Sequence, residues 1–272
     1  MRSNRAVLEA IFERARNDRR AAFIPYVMSG DPDAATTLAV LRELTAAGAD
    51  AIELGIPYSD PLADGPTIAA AGQRALAGGM TVAASLEIVR AHRESGGVPV
   101  VLFTYFNPVL QYGIESFARD AAAHGVCAAI VPDIALEEGE ELAAALTAQG
   151  LDMPLLVAPS TKPERAKRIA AQSSGFIYVV SRLGVTGATT VPSNDALRAQ
   201  ITMLRGMTGT PLAVGFGVSR ADHVHDVVPL ADGIIVGSAL IDAYAGTQGD
   251  EAAARVRAFV EPLIAAARTV EV

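Results

Sequence analysis

Residues 50–66 read DAIELGIPYSDPLADGP, and the rest of the chain is organised around them. The stretch opens as an apolar run, 51–54, that carries one carboxylate, Glu53. It breaks at Gly55 and Pro57 into a loop holding Ser59, Asp60, Pro61, Asp64 and the pair Gly65-Pro66. A glutamate in a buried strand is costly unless it has a partner or a task. The following loop is too rich in Pro, Gly and Asp to continue as regular structure. Two carboxylates at one strand end, the first on the strand and the second on the loop, fit paired proton chemistry. They also fit a Glu satisfied by backbone groups and an Asp that caps a helix. By itself the stretch leaves both readings open.

Working outward, the same strand-then-helix unit recurs. Apolar runs predict strands at 23–28, 50–55, 98–104, 127–131, 154–157, 176–180, 211–214 and 232–236. Between them, helical spacing appears at 33–47, 67–95, 114–124, 136–149, 163–172, 194–204 and 220–228, then briefly at 238 and again over 250–268. The strands are continuous apolar runs and do not alternate, so both of their faces are buried, as in a parallel sheet under helices. Eight units in strict order predict an α/β fold of the (β/α)8 TIM-barrel type. The competing fold, an open doubly wound sheet, calls for a glycine-rich turn after its first strand. Ser29-Gly30-Asp31-Pro32 has one glycine and no such fingerprint. Ahead of the first strand, Val7, Leu8, Ile11, Phe12 and Ala15 form one helical face, which predicts an extra N-terminal helix covering part of the core. No Pro/Ser-rich linker divides the chain, so 1–272 is read as a single domain.

Composition narrows the function class. Of 272 residues, 51% are hydrophobic and 19% charged, ample for one large core, and the formal charge of −8 speaks against a nucleic-acid surface. No apolar run is long enough to span a membrane. The arginine-rich start contains Glu9, Glu13 and Asp18, unlike an acid-poor transit peptide, so a cytoplasmic location is expected. The single cysteine, Cys127, lies in an apolar stretch and reads as a small buried hydrophobe.

In a barrel, chemistry belongs at the C-terminal ends of the strands, and phosphate sites favour the loops after strands seven and eight. Those loops read Gly215-Phe216-Gly217-Val218-Ser219 and Val236-Gly237-Ser238-Ala239-Leu240. Each is a glycine turn entering a helix start, where backbone N–H groups and the helix dipole attract an anion. The loop 183–190, LGVTGATT, is small and hydroxyl-rich enough to close over such a site. Tyr26, Phe103, Tyr105, Tyr178 and Phe216, with Ile130, fall at strand ends in a chain that is only 5% aromatic, which points to a flat apolar substrate. The only lysines, Lys162 and Lys167, lie in or beyond the loop after strand five, so a buried amine nucleophile is not expected. His92, His124, His223 and His225 all fall on predicted helices, and the last two do not share a face, so no metal site is expected. Carboxylate acid–base chemistry is left, with the electron sink supplied by the substrate.

The stretch from Glu53 to Ile68, ELGIPYSDPLADGPTI, closely resembles the signature of the tryptophan synthase α subunit family. The resemblance extends over nearly the whole chain, through Pro25-Tyr26 with Gly30-Asp31-Pro32, Tyr105-Phe106-Asn107-Pro108, Val131-Pro132-Asp133, Tyr178-Val179-Val180-Ser181-Arg182 with Gly184-Val185-Thr186-Gly187, Gly215-Phe216-Gly217 and Gly237-Ser238. It implies a barrel that cleaves indole-3-glycerol phosphate to indole and glyceraldehyde 3-phosphate. It also implies roles: Glu53 shuttles the proton at C3 and the glycerol hydroxyl, Asp64 accepts from the indole N–H, and Tyr178 stands beside Glu53. Thr186 would close against Asp64. Tyr26, Ile68, Phe103, Tyr105, Ile130 and Phe216 would contact substrate, and N–H groups of Gly187, Gly217, Gly237 and Ser238 would hold the phosphate. The resemblance further implies a β-subunit partner in an α2β2 heterotetramer, met by Pro57, Asp60, Asn107 and Pro108. Pyridoxal phosphate is then expected in β alone, with no cofactor here.

The departures are modest: Met28-Ser29 replaces the usual Thr-Ala, and Ala135 replaces a common proline. They leave open a stand-alone indole-releasing lyase. Two further readings stay in play at this stage. Another phosphate-handling barrel, such as an isomerase, would share the glycine turns but not need the Glu53–Asp64 pair. A subunit that only activates β would not need the carboxylates at all.

Overall fold

The computed structural model describes residues 5–181, 194–215 and 217–269. Eight strands run through it: β1 (Ala22–Met28), β2 (Ile52–Gly55), β3 (Val100–Phe103), β4 (Val126–Ile130), β5 (Leu155–Val157), β6 (Ile177–Val180), β7 (Leu212–Gly215) and β8 (Gly233–Val236). All pairings between them are parallel, in the spatial order β4-β3-β2-β1-β8-β7-β6-β5. The two ends of that order meet at a single parallel bridge, Ala128 to Asp152. There the Ala129 N–H donates to the Asp152 carbonyl and the Asp152 N–H to the Cys127 carbonyl, both at 3.0 Å. The sheet is therefore a nearly closed barrel, and the open-sheet alternative falls because β1 pairs with both β2 and β8.

The described helices are α1 (Arg5–Asn17), α2 (Ala34–Ala47), α3 (Pro66–Ala77), α4 (Val82–Glu94), α5 (Phe106–Tyr112), α6 (Ile114–Ala123), α7 (Glu140–Ala148), α8 (Pro163–Gln172), α9 (Asn194–Arg205), α10 (Ala221–Val227), α11 (Ser238–Tyr244) and α12 (Gly249–Thr269). Local chemistry sets their ends. The Asp33 side chain accepts from the Thr36 N–H at 2.7 Å to start α2, which stops at Gly48 in the left-handed region. The helical stretch expected over 67–95 divides at Gly78-Gly79, and Thr81 caps the second half by accepting from the Ala84 N–H. Helix α5 is absent from the sequence-based expectation, which places no helix between 104 and 114. Pro108 is the third residue of α5, in the first turn, where a missing N–H costs no helical hydrogen bond. Helix α7 begins at Glu140, four residues later than expected.

Two apolar regions result. One fills the space between the sheet and its helices, where α12 packs back onto α2 to close the ring. The other lies inside the barrel. There Leu8, Ile11, Phe12 and Ala15 of α1 pack with Ala22, Ile24, Ala51, Val101, Phe176 and Ala213 from the strands and their approaches. The N-terminal helix thus plugs the barrel at the end where the strands begin, with the Phe12 and Phe176 rings 5.8 Å apart. That seal leaves the opposite end, where the strands finish, for the site.

Candidate active site

Glu53 lies on β2 in register with Tyr26 of β1 and Val101 of β3. It is 2% exposed, and its Oε2 has no hydrogen-bond partner. Burial without an opposing charge pushes its carboxyl from the usual carboxylate range up to about 8, so at neutral pH it carries its proton. The reading in which backbone groups satisfy this carboxyl does not account for the unpartnered oxygen.

Aromatic side chains surround it. The ring of Phe103 stands edge-on to Tyr26 at 6.1 Å and lies 6.5 Å from Tyr178. Glycines at two strand ends make room for the phenols. A Cβ at Gly55 would collide with the Tyr26 hydroxyl, and one at Gly215 with the Tyr178 hydroxyl. Burial, aided by the nearby carboxylates, raises both phenols well above their ordinary value, so both remain protonated donors. Ile68 of α3 and Ile130 of β4 are buried, and Phe216 lies outside the described residues.

Asp64 is not a helix cap: α3 starts on Gly65 with no side-chain cap bond and with Pro66 in its first position. Instead the Tyr105 hydroxyl donates to Asp64 Oδ1 at 2.9 Å and accepts from the Ala63 N–H at 3.0 Å. Burial raises the Asp64 carboxyl above the ordinary aspartate range, and the Tyr105 hydrogen bond partly offsets this. Tyr105 is expected as a substrate contact, and the structure gives its hydroxyl a further place as the clamp on the Asp64 loop. The Asp133 side chain accepts the Phe106 N–H at 2.8 Å and so fixes the backbone just beyond Tyr105. That clamp escaped the sequence reading because 41 positions separate its two members.

At the neighbouring strand ends, Gly217 follows β7 with φ at +90° and is exposed. Gly237 precedes α11, and its carbonyl takes the N–H groups of Leu240 and Ile241 at 2.8 and 3.1 Å. The N–H groups of Ser238 and Ala239 come before that first turn, as an anion site at a helix start requires. Thr186 and Gly187 lie outside the described residues.

On the rim, Pro57 is buried and Asp60 exposed, while the Asn107 amide donates to the Tyr58 hydroxyl at 3.2 Å. The Tyr58 ring lies 5.4 Å from that of Tyr105, so the 57–62 loop and the start of α5, including half-buried Pro108, form one surface. Leu62, 80% exposed, and Leu110, 52% exposed, sit on these two segments.

The remaining candidates take structural places. The Cys127 thiol is buried, donates to the Val100 carbonyl and is pushed up to about 12. Lys162 and Lys167 are exposed, and His223 is buried while His225 is exposed, on different faces of α10. Among the described residues no group of three His, Cys, Asp or Glu side chains could hold a metal, and no helix is long and apolar enough to cross a membrane.

Fold and site together define a class: a (β/α)8-barrel enzyme that carries a proton-bearing carboxyl and a second carboxylate where its strands end. The family model for the tryptophan synthase alpha chain matches residues 12–268. The alpha chain of Gloeobacter violaceus is 45% identical over 263 residues, spanning 96% of this chain and 95% of its own. That of a Geobacter species is 48% identical over 242 residues, spanning 89% and 90%. A solved tryptophan synthase of Mycobacterium tuberculosis has a TM-score of 0.89 at 39% identity, covering 97% of this chain and 98% of that one. The chain belongs to the tryptophan synthase alpha chain family. It is an enzyme of the lyase half-reaction, cleaving indole-3-glycerol phosphate and passing indole to a β subunit.

Proposed function

We propose that Glu53 and Asp64 divide the proton and charge handling of this cleavage, working without a cofactor of the chain's own. The observation that carries the assignment is the buried Glu53 carboxyl, protonated and with one oxygen free, among Tyr26, Phe103 and Tyr178. Glu53 gives its proton to indole C3, and the ring becomes an indolenine with positive charge centred on N1. Asp64, whose charged form the Tyr105 hydroxyl favours, accepts from the N1–H and stabilises that charge. The Glu53 carboxylate then takes the proton of the glycerol hydroxyl on the carbon attached to C3. The carbon–oxygen bond becomes a carbonyl, the carbon–carbon bond breaks, and its electrons restore the C2–C3 double bond and neutralise N1. One proton leaves Glu53 and one returns, so indole and glyceraldehyde 3-phosphate are released with the enzyme unchanged. Tyr178 lies close enough for its phenol to feel the Glu53 charge and would orient the carboxyl between the two transfers.

Tyr26, Phe103, Ile68 and Ile130 supply apolar walls for the indole, and the N–H groups around Gly217, Gly237 and Ser238 hold the phosphate. The surface carrying Leu62 and Leu110 would dock the β subunit of an α2β2 assembly, for exposed large apolar side chains are what a partner covers. Pyridoxal phosphate then belongs to β. We read the chain as one domain acting in the cytoplasm.

The test is indole release from indole-3-glycerol phosphate by the purified chain, alone and with β. Glu53→Gln, which keeps the shape and loses the transferable proton, is expected to abolish release while glycerol 3-phosphate still binds. Loss of binding together with activity would make Glu53 a structural residue. Fast release that ignores β would identify a stand-alone lyase.

A further inference from the structure

His223 is buried on α10, and the mechanism above gives it no task. Its ring lies against the loop between β7 and α10, with Nδ1 3.0 Å from the Gly217 carbonyl oxygen and Nε2 2.9 Å from the Arg220 guanidinium. A guanidinium only donates, so Nε2 must offer its lone pair and the neutral ring carries its proton on Nδ1. The Nδ1–H therefore donates to the Gly217 carbonyl. The Ser219 N–H, 3.4 Å from Nδ1, has no acceptor there in that tautomer. Arg220 is itself held by both Asp222 carboxylate oxygens, at 3.0 and 2.9 Å, which anchors the tautomer from outside.

Gly217 needs such a hold. At φ +90° it sits where glycine alone is unstrained, and glycine leaves the direction of its peptide groups weakly determined. With its carbonyl turned onto His223, the Val218 N–H in the same planar trans peptide points the opposite way. The carbonyl oxygen, which would repel a phosphate dianion, is also occupied.

We propose that His223 is a positioning residue for phosphate recognition: through the Gly217 carbonyl it holds the β7–α10 loop in the orientation that receives the anion. The inference rests on the assignment of the phosphate to the Gly217, Gly237 and Ser238 loops. Fixing a loop in its bound form raises affinity by removing the ordering cost from the binding step.

The experiment measures steady-state cleavage of indole-3-glycerol phosphate by the full chain with β present, and its inhibition by glycerol 3-phosphate. His223→Phe is expected to raise KM and the inhibition constant together by about 5- to 10-fold, as for one lost hydrogen bond, with kcat little changed. His223→Asn, whose amide nitrogen can stand where Nδ1 stands, is expected to restore most of the affinity. His223→Ala, which makes no demand on space, serves if the phenylalanine variant does not fold. Wild-type constants in His223→Phe or His223→Ala would overturn the proposal, as would a loss confined to kcat or one that His223→Asn does not rescue. Ser238→Glu, placing a carboxylate at the phosphate position, tests the underlying reading separately. If it leaves glycerol 3-phosphate inhibition intact, the phosphate binds elsewhere and both readings fall. If it abolishes inhibition while His223→Phe changes nothing, only the role of His223 falls.

Discussion

Glu53 holds a proton at neutral pH because it is walled off from water with no cation beside it, and that one fact sets both its chemistry and its cost. Its folded-state value of about 8 exceeds the unfolded value of about 4.3. Between those pH values the folded chain binds a proton that the unfolded chain has released, so stability falls as pH rises through the window and levels off above about 8. Glu53→Gln should therefore melt higher than wild type at pH 8, with the gap closing toward pH 4; a constant gap would mean that Glu53 is ionised in the folded chain. Activity should follow the same proton, with kcat/KM falling above a pH near 8. In the proposed mechanism the acid limb belongs to Asp64, which acts ionised, and it should lie above the ordinary aspartate value of about 3.9 because burial raises that carboxyl. Tyr105→Phe removes the hydrogen bond that opposes this rise, so the acid limb should move to higher pH and activity at pH 6 should drop more than at pH 8. An unmoved limb would remove Tyr105 from the control of Asp64.

Among the elements, α1 and α5 teach most. The apolar face of α1 announces a buried helix, and its place, sealing the barrel where the strands begin, follows from Leu8, Ile11 and Phe12 meeting Phe176 and the inward residues of the strands. Phe12→Ala should destabilise the fold by about 3–5 kcal/mol, read from denaturant unfolding, through lost burial and the cavity left behind. A change below about 1 kcal/mol would show that the barrel end is filled without it. Helix α5 was not legible, because its seven residues are too few for a periodic signal and its proline resembles a stop. Capture of the Phe106 N–H by Asp133, 27 positions away, helps to start it.

At the scale of the molecule, the barrel brings the proposed site and the proposed partner face onto one rim. Tyr105 faces Asp64 through its hydroxyl and Tyr58 through its ring, so the proposed reaction site adjoins the surface carrying Leu62 and Leu110. Leu110→Asp should raise the β concentration needed for half-maximal indole release by about 10-fold or more, since an unpaired charge would be buried on docking. Release without β should be unchanged. An unaltered titration would place the β contact elsewhere on the chain.

Eight strands, their order and the choice of a barrel could be read directly, because continuous apolar runs demand burial on both faces and short connections leave few ways to arrange them. Glu53 stood out for a similar reason: a carboxylate in such a run conflicts with its surroundings whatever the fold. Tertiary structure alone decided what surrounds these groups. It left Glu53 Oε2 without a partner, gave Asp64 to Tyr105 and not to a helix cap, and set His223 on the Gly217 carbonyl while turning His225 outward. The first two depend on strand register and on contacts between residues far apart in the chain, and the last on the face α10 turns inward. Burial preference acts on each residue where it stands, and so it is written along the chain. Hydrogen-bond partnership belongs to pairs, and the pairs exist only once the barrel has closed.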